Sequence, residues 1–226
     1  LDKLFWPKEK ITKGDLLAYY RDIASVVLPH LRDRPFVMLR YPDGIEGKAF
    51  YQRRAPRYLP RWIPTFEYED SESQRLRAPV VRDEAALLWM VNMGCIDLHP
   101  WCSRVDKPHR PDWVVFDLDP GEGAGMDEVV EVALLVRALL GQLGLRGYPK
   151  TSGGHGLHVL VPIARRSTYA ETRDFASLLA QALATARPHL VTRERRPSRR
   201  RGVLVDAAQN GEGRTLASVY SVRPRP

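Results

Sequence analysis

Two aspartates, Asp117 and Asp119, end a short apolar run at residues 113–116 and are followed by a Pro-Gly turn. Side chains alternate along a strand, so residues two apart project from the same face. Carboxylates held that close repel each other unless a cation lies between them, and Mg²⁺ and Mn²⁺ prefer such oxygen ligands. The pair therefore indicates a divalent-metal site. The alternative is a solvated turn at the end of a strand.

A glycine-rich segment at residues 150–158 begins with a lysine and runs into another apolar stretch. Glycine lets backbone N–H groups turn towards an anion without a side chain in the way. A glycine-rich turn is weak evidence by itself, but together with the carboxylate pair it indicates metal-assisted chemistry on a nucleotide. The candidate phosphate-binding residues are Lys150, Ser152, Gly153, Gly154, His155 and His158.

Two further polar residues need a decision between alternatives. Asp206 ends the apolar segment 202–206 and either caps the following loop or joins the other aspartates around two ions about 3.5–4 Å apart. His99 lies near Cys95, Cys102 and His109, but their spacing matches no common zinc finger. The ordinary alternative for His99 is a buried ring bonded to backbone. Asp97, two positions earlier, is expected to orient that ring or to pair with an arginine.

The chain resembles the polymerase domain of bacterial ligase D, within the archaeo-eukaryotic primase superfamily. His155 stands where family members often carry Lys or Arg, so the charge there depends on pH, and Arg53 stands where Lys is more usual. The matching stretches run in order over almost the whole chain, at residues 1–7, 12–15, 40–45, 94–101, 116–121, 150–158 and 214–224.

This resemblance implies a template-dependent nucleotidyltransferase that adds nucleotides, preferably ribonucleotides, to a DNA primer end for gap filling in non-homologous end joining. The primer 3′-hydroxyl would attack the α-phosphorus of a nucleoside triphosphate, with Asp117, Asp119 and Asp206 as ligands of two Mn²⁺ or Mg²⁺ ions. The expected partners are DNA ends, gapped or primed duplex and nucleoside triphosphates, with Ku and a DNA ligase as further candidates.

The resemblance also implies functions for residues that the motifs alone leave open. His99 would touch the nucleotide or the ions, and Arg223 would grip the triphosphate. Lys3 and Lys13 would bind a downstream 5′-phosphate, although exposed lysines are usually just solvated. Phe50 and Tyr51 would stack near the template bases, although one of them is expected to face the core.

Arginine is concentrated in two regions. Residues 187–201 hold seven Arg and one Glu, a net charge of +6 out of +8 for the whole chain. This run, which includes Arg199, leads directly into the strand of Asp206, so it is either a solvated loop or a rim that holds phosphates. Arg53 and Arg54 lie among aromatic residues, a mixture typical of nucleic-acid binding through backbone neutralisation and base stacking.

Composition is that of a folded globular protein. Hydrophobic residues make up 44% of the 226 residues. The sequence contains neither the long apolar run of a membrane-spanning helix nor a signal-peptide pattern. Its two cysteines suit a reducing compartment. We therefore expect a cytoplasmic protein with no membrane contact, and the resemblance further implies a nucleoid-associated monomer.

The local patterns predict an α+β fold in which helices back a mixed sheet beside a smaller N-terminal lobe. We expect one primase-polymerase domain over 1–226, with an N-terminal lobe at 1–80 and a catalytic lobe at 81–226. Helices are predicted to begin at Thr12 and Thr168, each with a capping box, and at Asp83, with another spanning about 127–143. The first is predicted to have an apolar face formed by Leu16, Tyr19, Tyr20, Ile23 and Val27. Strands are predicted at 36–40, 49–53, 114–118, 157–162, 202–206 and 216–222.

Two other classes of function remain open from the sequence. A metal-dependent nuclease could use the same carboxylates, but it would not need the glycine-loop histidines. A non-catalytic module that binds DNA ends would use only the basic surface. The retained repulsion among Asp117, Asp119 and Asp206 argues against such a module.

Overall fold

The computed structural model describes residues 1–70 and 72–225. The chain separates into two compact units, Leu1–Asp106 with Thr215–Pro226, and Lys107–Arg214. These bounds differ from the lobes expected at 1–80 and 81–226. The reason is a strand at Cys95–Pro100, which pairs with a strand at Phe36–Arg40 and so belongs to the first unit. That the whole chain acts as one domain stays a prediction.

The described residues of the first unit form three helices and several short strands. A three-stranded antiparallel sheet has the order β4-β3-β7, and two small ribbons are formed by β1 with β2 and by β5 with β6. The elements are β1 Leu4–Trp6, β2 Ile11–Thr12, α1 Lys13–Asp22, α2 Ala24–Leu31, β3 Phe36–Arg40, β4 Phe50–Gln52, β5 Thr65–Glu69, β6 Arg75–Pro79, α3 Glu84–Asn92 and β7 Cys95–Pro100.

The first helix begins as the sequence predicts but does not continue. Thr12 and Asp15 form the capping box of α1, because each side chain bonds to the other residue's backbone N–H. The helix ends at Asp22 and α2 starts at Ala24, after the single residue Ile23, so the predicted single helix through Val27 is wrong. Tyr19, predicted on the apolar face, is 39% exposed because its hydroxyl donates to the Tyr220 carbonyl.

The second unit is a five-stranded mixed sheet backed by two helices, as predicted. Its strand order is β11-β12-β8-β10-β9, and only β11 and β12 are parallel. Thr168 caps the helix Tyr169–Ala186 with the predicted capping box. The helix Met126–Gln142 ends just before Gly144, whose φ of +68° suits glycine. The elements are β8 Trp113–Pro120, α4 Met126–Gln142, β9 Tyr148–Thr151, β10 Leu157–Pro162, α5 Tyr169–Ala186, β11 Val191–Thr192 and β12 Val203–Asp206.

One face of this sheet forms the core of the second unit. Val114, Phe116 and Leu118 alternate along β8 and are buried against α4 and α5. Val115 and Asp117 therefore lie on the opposite face. The helix residues in this core include Val129, Val132, Val136, Leu140, Ala176 and Ala180.

The predicted strand at 216–222 is wrong. Thr215 makes one isolated bridge to Trp101, and residues 216–225 form no ladder. Side-chain hydrogen bonds hold this segment in place instead. Ser221 Oγ accepts from Leu98 N–H and Tyr20 Oη accepts from Val222 N–H, both at 2.9 Å.

Among the described residues, no helix combines the length and the apolar character that crossing a lipid bilayer requires.

Candidate active site

A row of polar side chains crosses the sheet of the second unit. Asp117 on β8 pairs with Asp206 on β12 and with His158 on β10, and His158 pairs in turn with Lys150 on β9. Residues that pair directly across strands project from the same face. These four residues, here called the polar row, therefore share the face opposite α4 and α5, and Asp119 joins that face two positions beyond Asp117.

The carboxylates of this face interact strongly. Asp117 is 9% exposed. Burial raises the pKa of Asp117 to about 7, and the negative charges of Asp119 and Asp206 act in the same direction, against a hydrogen bond from Gln209 and the charge of Lys150. The repulsion expected from the sequence is present. The charges of Asp119 and Asp206 thus add to the cost of ionising Asp117, and a cation fits as the common partner of the three carboxylates.

Two arginines pair with these carboxylates. Arg195 Nη2 donates to Asp206 Oδ2 at 3.1 Å, and Arg200 Nη1 lies 3.8 Å from Asp119 Oδ2. Across residues 1–70 and 72–225, no three His, Cys, Asp or Glu side chains form a ready-made metal cluster. Asp206 also accepts from Ala208 N–H at 2.8 Å, so it caps its loop as the alternative interpretation proposed.

Sequence reasoning chose Arg199 from the same run for DNA binding, left open which arginine of residues 199–201 faces the site, and did not single out Arg195. Arg199 lies at the end of a short 3₁₀ helix, Pro197–Arg199, and is exposed. The sequence of an arginine-rich segment does not show which of its seven arginines point towards the sheet. Only the turn geometry decides which side chains reach the carboxylates. Arg200 is held there because it also donates to the carbonyls of Glu194 and Arg195. DNA binding by Arg199 stays a prediction.

His158 is held between a cation and a carboxylate. Lys150 Nζ lies 2.8 Å from His158 Nδ1, and His158 Nε2 lies 3.4 Å from Asp117 Oδ1. A charged ammonium can only donate, so Nδ1 accepts and the ring proton is placed on Nε2, facing Asp117. Lys150 therefore bonds to another member of the polar row in addition to any contact that it makes with phosphate.

The glycine loop is a tight turn around one hydroxyl. Ser152 Oγ accepts from the N–H groups of Gly154 and Gly156, each at 3.2 Å. A Cβ at Gly156 would lie 2.1 Å from the Leu118 carbonyl oxygen, so only glycine fits where the loop crosses β8. Beside this turn is a cavity of about 370 Å³, lined by Pro120, Gly121, Ala124, Gly125, Met126, Gly154 and His155.

In the first unit, His99 and Arg223 meet at a buried aspartate. Asp97, 1% exposed, has Oδ2 at 2.7 Å from Arg223 Nη1 and at 3.2 Å from His99 Nε2, and its Oδ1 accepts from Ser221 Oγ at 3.1 Å. The ring of Tyr51 lies edge-on to His99, with centroids 5.9 Å apart. Asp97 thus does both things that the sequence offered as alternatives.

The remaining predicted DNA contacts also lie in the first unit. Lys13 N–H donates to the Lys3 carbonyl at 2.8 Å, and partial burial together with the charge of Lys3 lowers the pKa of Lys13. Phe50 and Tyr51 are 41% and 60% exposed, so the expectation that one faces the core is wrong. Their strand, β4, is a three-residue edge strand that leaves both faces open. Arg53 and Arg54 follow it and are exposed.

Substituting Asp97 by asparagine should destabilise the first unit by about 2 kcal/mol, because Arg223 loses its buried counter-charge. Urea unfolding followed by tryptophan fluorescence suits this test, since Trp6, Trp62, Trp89 and Trp101 all lie in that unit. The control is Asp22→Asn, which removes an exposed partner of Arg21 and should cost under about 1 kcal/mol. Equal losses in the two variants would contradict the importance assigned to Asp97.

Comparisons with known proteins place this geometry in context. The family model of the LigD primase-polymerase domain matches residues 12–226. The multifunctional non-homologous end joining protein LigD of Pseudomonas aeruginosa is 36% identical over 226 residues, which are 99% of this chain and 26% of that protein. The bifunctional non-homologous end joining protein LigD of Bacillus subtilis is 34% identical over 225 residues, 99% of this chain and 36% of that protein. The chain thus spans between about a quarter and about a third of these relatives' length.

A solved structure shares the fold. The polymerase domain of Mycobacterium tuberculosis ligase D, in complex with DNA, superposes with a TM-score of 0.94 and is 33% identical. The match covers 99% of this chain and 81% of that one.

Proposed function

The chain belongs to the LigD primase-polymerase domain family, and from that premise we propose that it is a template-dependent nucleotidyltransferase that extends DNA primer ends in non-homologous end joining. One observation carries the proposal: Asp117, Asp119 and Asp206 share one face of the sheet, next to the glycine loop. Carboxylates beside a phosphate-binding turn are the arrangement that phosphoryl transfer requires.

In this proposal Asp117, Asp119 and Asp206 would hold two Mn²⁺ or Mg²⁺ ions, and those ions would supply charge stabilisation to the attacking hydroxyl and the leaving pyrophosphate. Asp117 must first lose its proton, since its pKa is raised to about 7. Arg195 and Arg200, which face Asp206 and Asp119, must share or release those carboxylates.

The nucleotide contacts are also proposals. The glycine loop would present its donors to the triphosphate, with His155 exposed at the cavity beside it. Arg223 and His99, whose positions in the first unit are set by Asp97, are proposed to contact the nucleotide as well. The residues proposed within the second unit are Lys150, Ser152, Gly153, Gly154, His155 and His158. Ku, a DNA ligase, the monomeric state and the cellular location stay predictions.

Primer extension on a gapped duplex tests the proposal and its finer points, gap filling and ribonucleotide preference. We expect addition directed by the template base, up to the end of the gap, faster with ribonucleotides than with deoxynucleotides, in Mn²⁺ or Mg²⁺. A parallel reaction with labelled DNA, Mn²⁺ and no nucleotides tests the nuclease alternative. Strand shortening there, without extension, would favour a nuclease, and end binding with neither reaction would favour a non-catalytic module.

A gapped substrate with a downstream 5′-phosphate should bind more tightly than its 5′-hydroxyl counterpart, by about 1–3 kcal/mol or about 5- to 150-fold in Kd. Two neighbouring lysines would supply charge-assisted hydrogen bonds. Lys3 also pairs with Asp43 at 2.6 Å, and because this ion pair is exposed, replacing it by a contact with phosphate costs little free energy. Fluorescence anisotropy with the two substrates measures the preference.

The Lys3→Ala, Lys13→Ala double variant should lose this preference and still extend a simple primed template. A matched control replaces Lys8 and Lys10, two exposed lysines of the same N-terminal loop, and should keep the preference. Equal affinity of the parent for both substrates, or an undiminished preference in the first double variant, would mean that Lys3 and Lys13 are solvated lysines that do not bind the phosphate.

A further inference from the structure

A second cavity in the second unit lies beside the end of β12. It has a volume of about 190 Å³ and is open to solvent. One wall is α5, where Arg173 and Ser177 are four residues apart and so lie one above the other on the same side of the helix. Arg193 and Arg195 line it from the chain that follows β11, and Asp206 lines it from the end of β12.

This cavity carries an excess of positive charge. Three guanidinium groups face one carboxylate, and among the described residues only Arg195 pairs with it, at 3.1 Å from Asp206. Within residues 1–70 and 72–225, the guanidinium groups of Arg173 and Arg193 make no hydrogen bond or ion pair. Two guanidinium forks without partners, close to a third, form a site for an anion.

We propose that this cavity binds a phosphate group. Guanidinium forks match the geometry of phosphate oxygens, and Ser177 adds a hydroxyl donor. The volume of about 190 Å³ exceeds that of a few water molecules, each about 30 Å³. The cavity lining has no aromatic ring on which a base could stack, so recognition is of the phosphate rather than of a nucleobase.

Two sources share this chemistry: a backbone phosphate of a nucleic-acid strand and free pyrophosphate. The cavity shares Asp206 with the polar row, so either source would come from the immediate surroundings of the candidate active site. The strand as a source rests on the proposed function. The presence of an anion site does not, because binding can be measured without any polymerisation.

The test compares two double variants that remove the same charge. Arg173→Gln with Arg193→Gln removes the cavity forks, whereas Arg137→Gln with Arg166→Gln removes two exposed arginines that do not line the cavity. Calorimetry with inorganic pyrophosphate and a metal chelator forms one arm. Binding of duplex DNA with a 3′ overhang, over a range of salt concentrations, forms the other. Both double variants should keep the parent's circular dichroism spectrum.

For pyrophosphate, the cavity variant should bind at least about tenfold more weakly than the parent, and the control should change by less than about threefold. For DNA, the slope of log Kd against log salt should fall by about 2 in the cavity variant only, because two phosphate contacts are lost. An effect confined to the first arm identifies free pyrophosphate, and one confined to the second identifies the strand. Identical behaviour of the two double variants in both arms would overturn the proposal. Since neither arm needs primer extension, a protein without polymerase activity can still show binding of an anion in this cavity.

Discussion

Replacing Asp117 or Asp119 by alanine should lower primer extension by about 10³-fold or more and leave DNA-end binding unchanged or slightly tighter. Each substitution removes a ligand from the proposed two-ion site, so the attacking hydroxyl and the leaving pyrophosphate lose their charge stabilisation. Removing a carboxylate also lessens the repulsion of DNA phosphates. Extension rates under single-turnover conditions and anisotropy with a labelled DNA end measure the two effects.

Asp174→Ala is the matched control for this experiment, since it removes an exposed carboxylate of α5 that lies outside the polar row. It should extend primers at the parent's rate. Substantial extension by the Asp117→Ala protein would contradict the two-ion assignment. Inactivity of the parent itself would instead contradict the proposed polymerase function.

Asp117→Asn should make the metal-free protein more stable at neutral and higher pH. Burial and the charges of Asp119 and Asp206 raise the pKa of Asp117 to about 7, from an ordinary value of 3.8. Between these two pH values the folded state keeps a proton that the unfolded state has released. The folded state is therefore favoured at low pH, and its stability falls as pH rises from about 4 to about 7, then stays level.

The size of this effect follows from the pKa difference. At about 1.4 kcal/mol per pH unit, ionising Asp117 in the folded protein costs up to about 4 kcal/mol. Asparagine has a similar shape and no charge to ionise, so the variant should gain about 2–4 kcal/mol over the parent at pH 8, and most of that gain should disappear at pH 4.5.

Urea unfolding followed by far-ultraviolet circular dichroism, with a chelator present, measures this gain across the pH range. Asp174→Asn removes an exposed carboxylate of the same unit and should show a difference that is small and flat with pH. A pH-independent gain in Asp117→Asn would show that packing, not the buried charge, is responsible. The expected pattern would mean that the protein keeps a destabilising carboxylate where its chemistry needs one.

Short-range patterns predicted much of this fold correctly. The capping boxes at Thr12 and Thr168 and the cap at Asp83 were predicted from residues three positions apart, because such caps depend only on neighbouring backbone. The apolar run before Asp117 forms the expected strand, and alternation correctly places Asp119 on the same face. The family was also identified from motifs in the sequence alone, and the family model confirms it.

Predictions that depended on contacts with residues distant in the sequence were less successful. The apolar alternation at 216–222 suggested a strand, but no neighbouring strand pairs with it, and side chains such as Ser221 anchor it instead. Phe50 and Tyr51 are both exposed because β4 is an edge strand, a position in the sheet that a single segment does not reveal. The limits of the two units likewise follow from the pairing of Cys95–Pro100 with Phe36–Arg40.

The sequence by itself determined which residues carry the chemistry: the aspartates, the glycine loop with its histidines, and the arginine-rich run. Only the tertiary structure decided how they meet. Strand register places Asp206 and His158 opposite Asp117. The geometry of the turn directs Arg195 and Arg200 towards the carboxylates, whereas Arg199 has no such contact among the described residues. Asp97 contacts Arg223, 126 positions away along the chain, for the same reason. Contacts between residues so far apart depend on the register and packing of whole elements, which local sequence patterns do not specify.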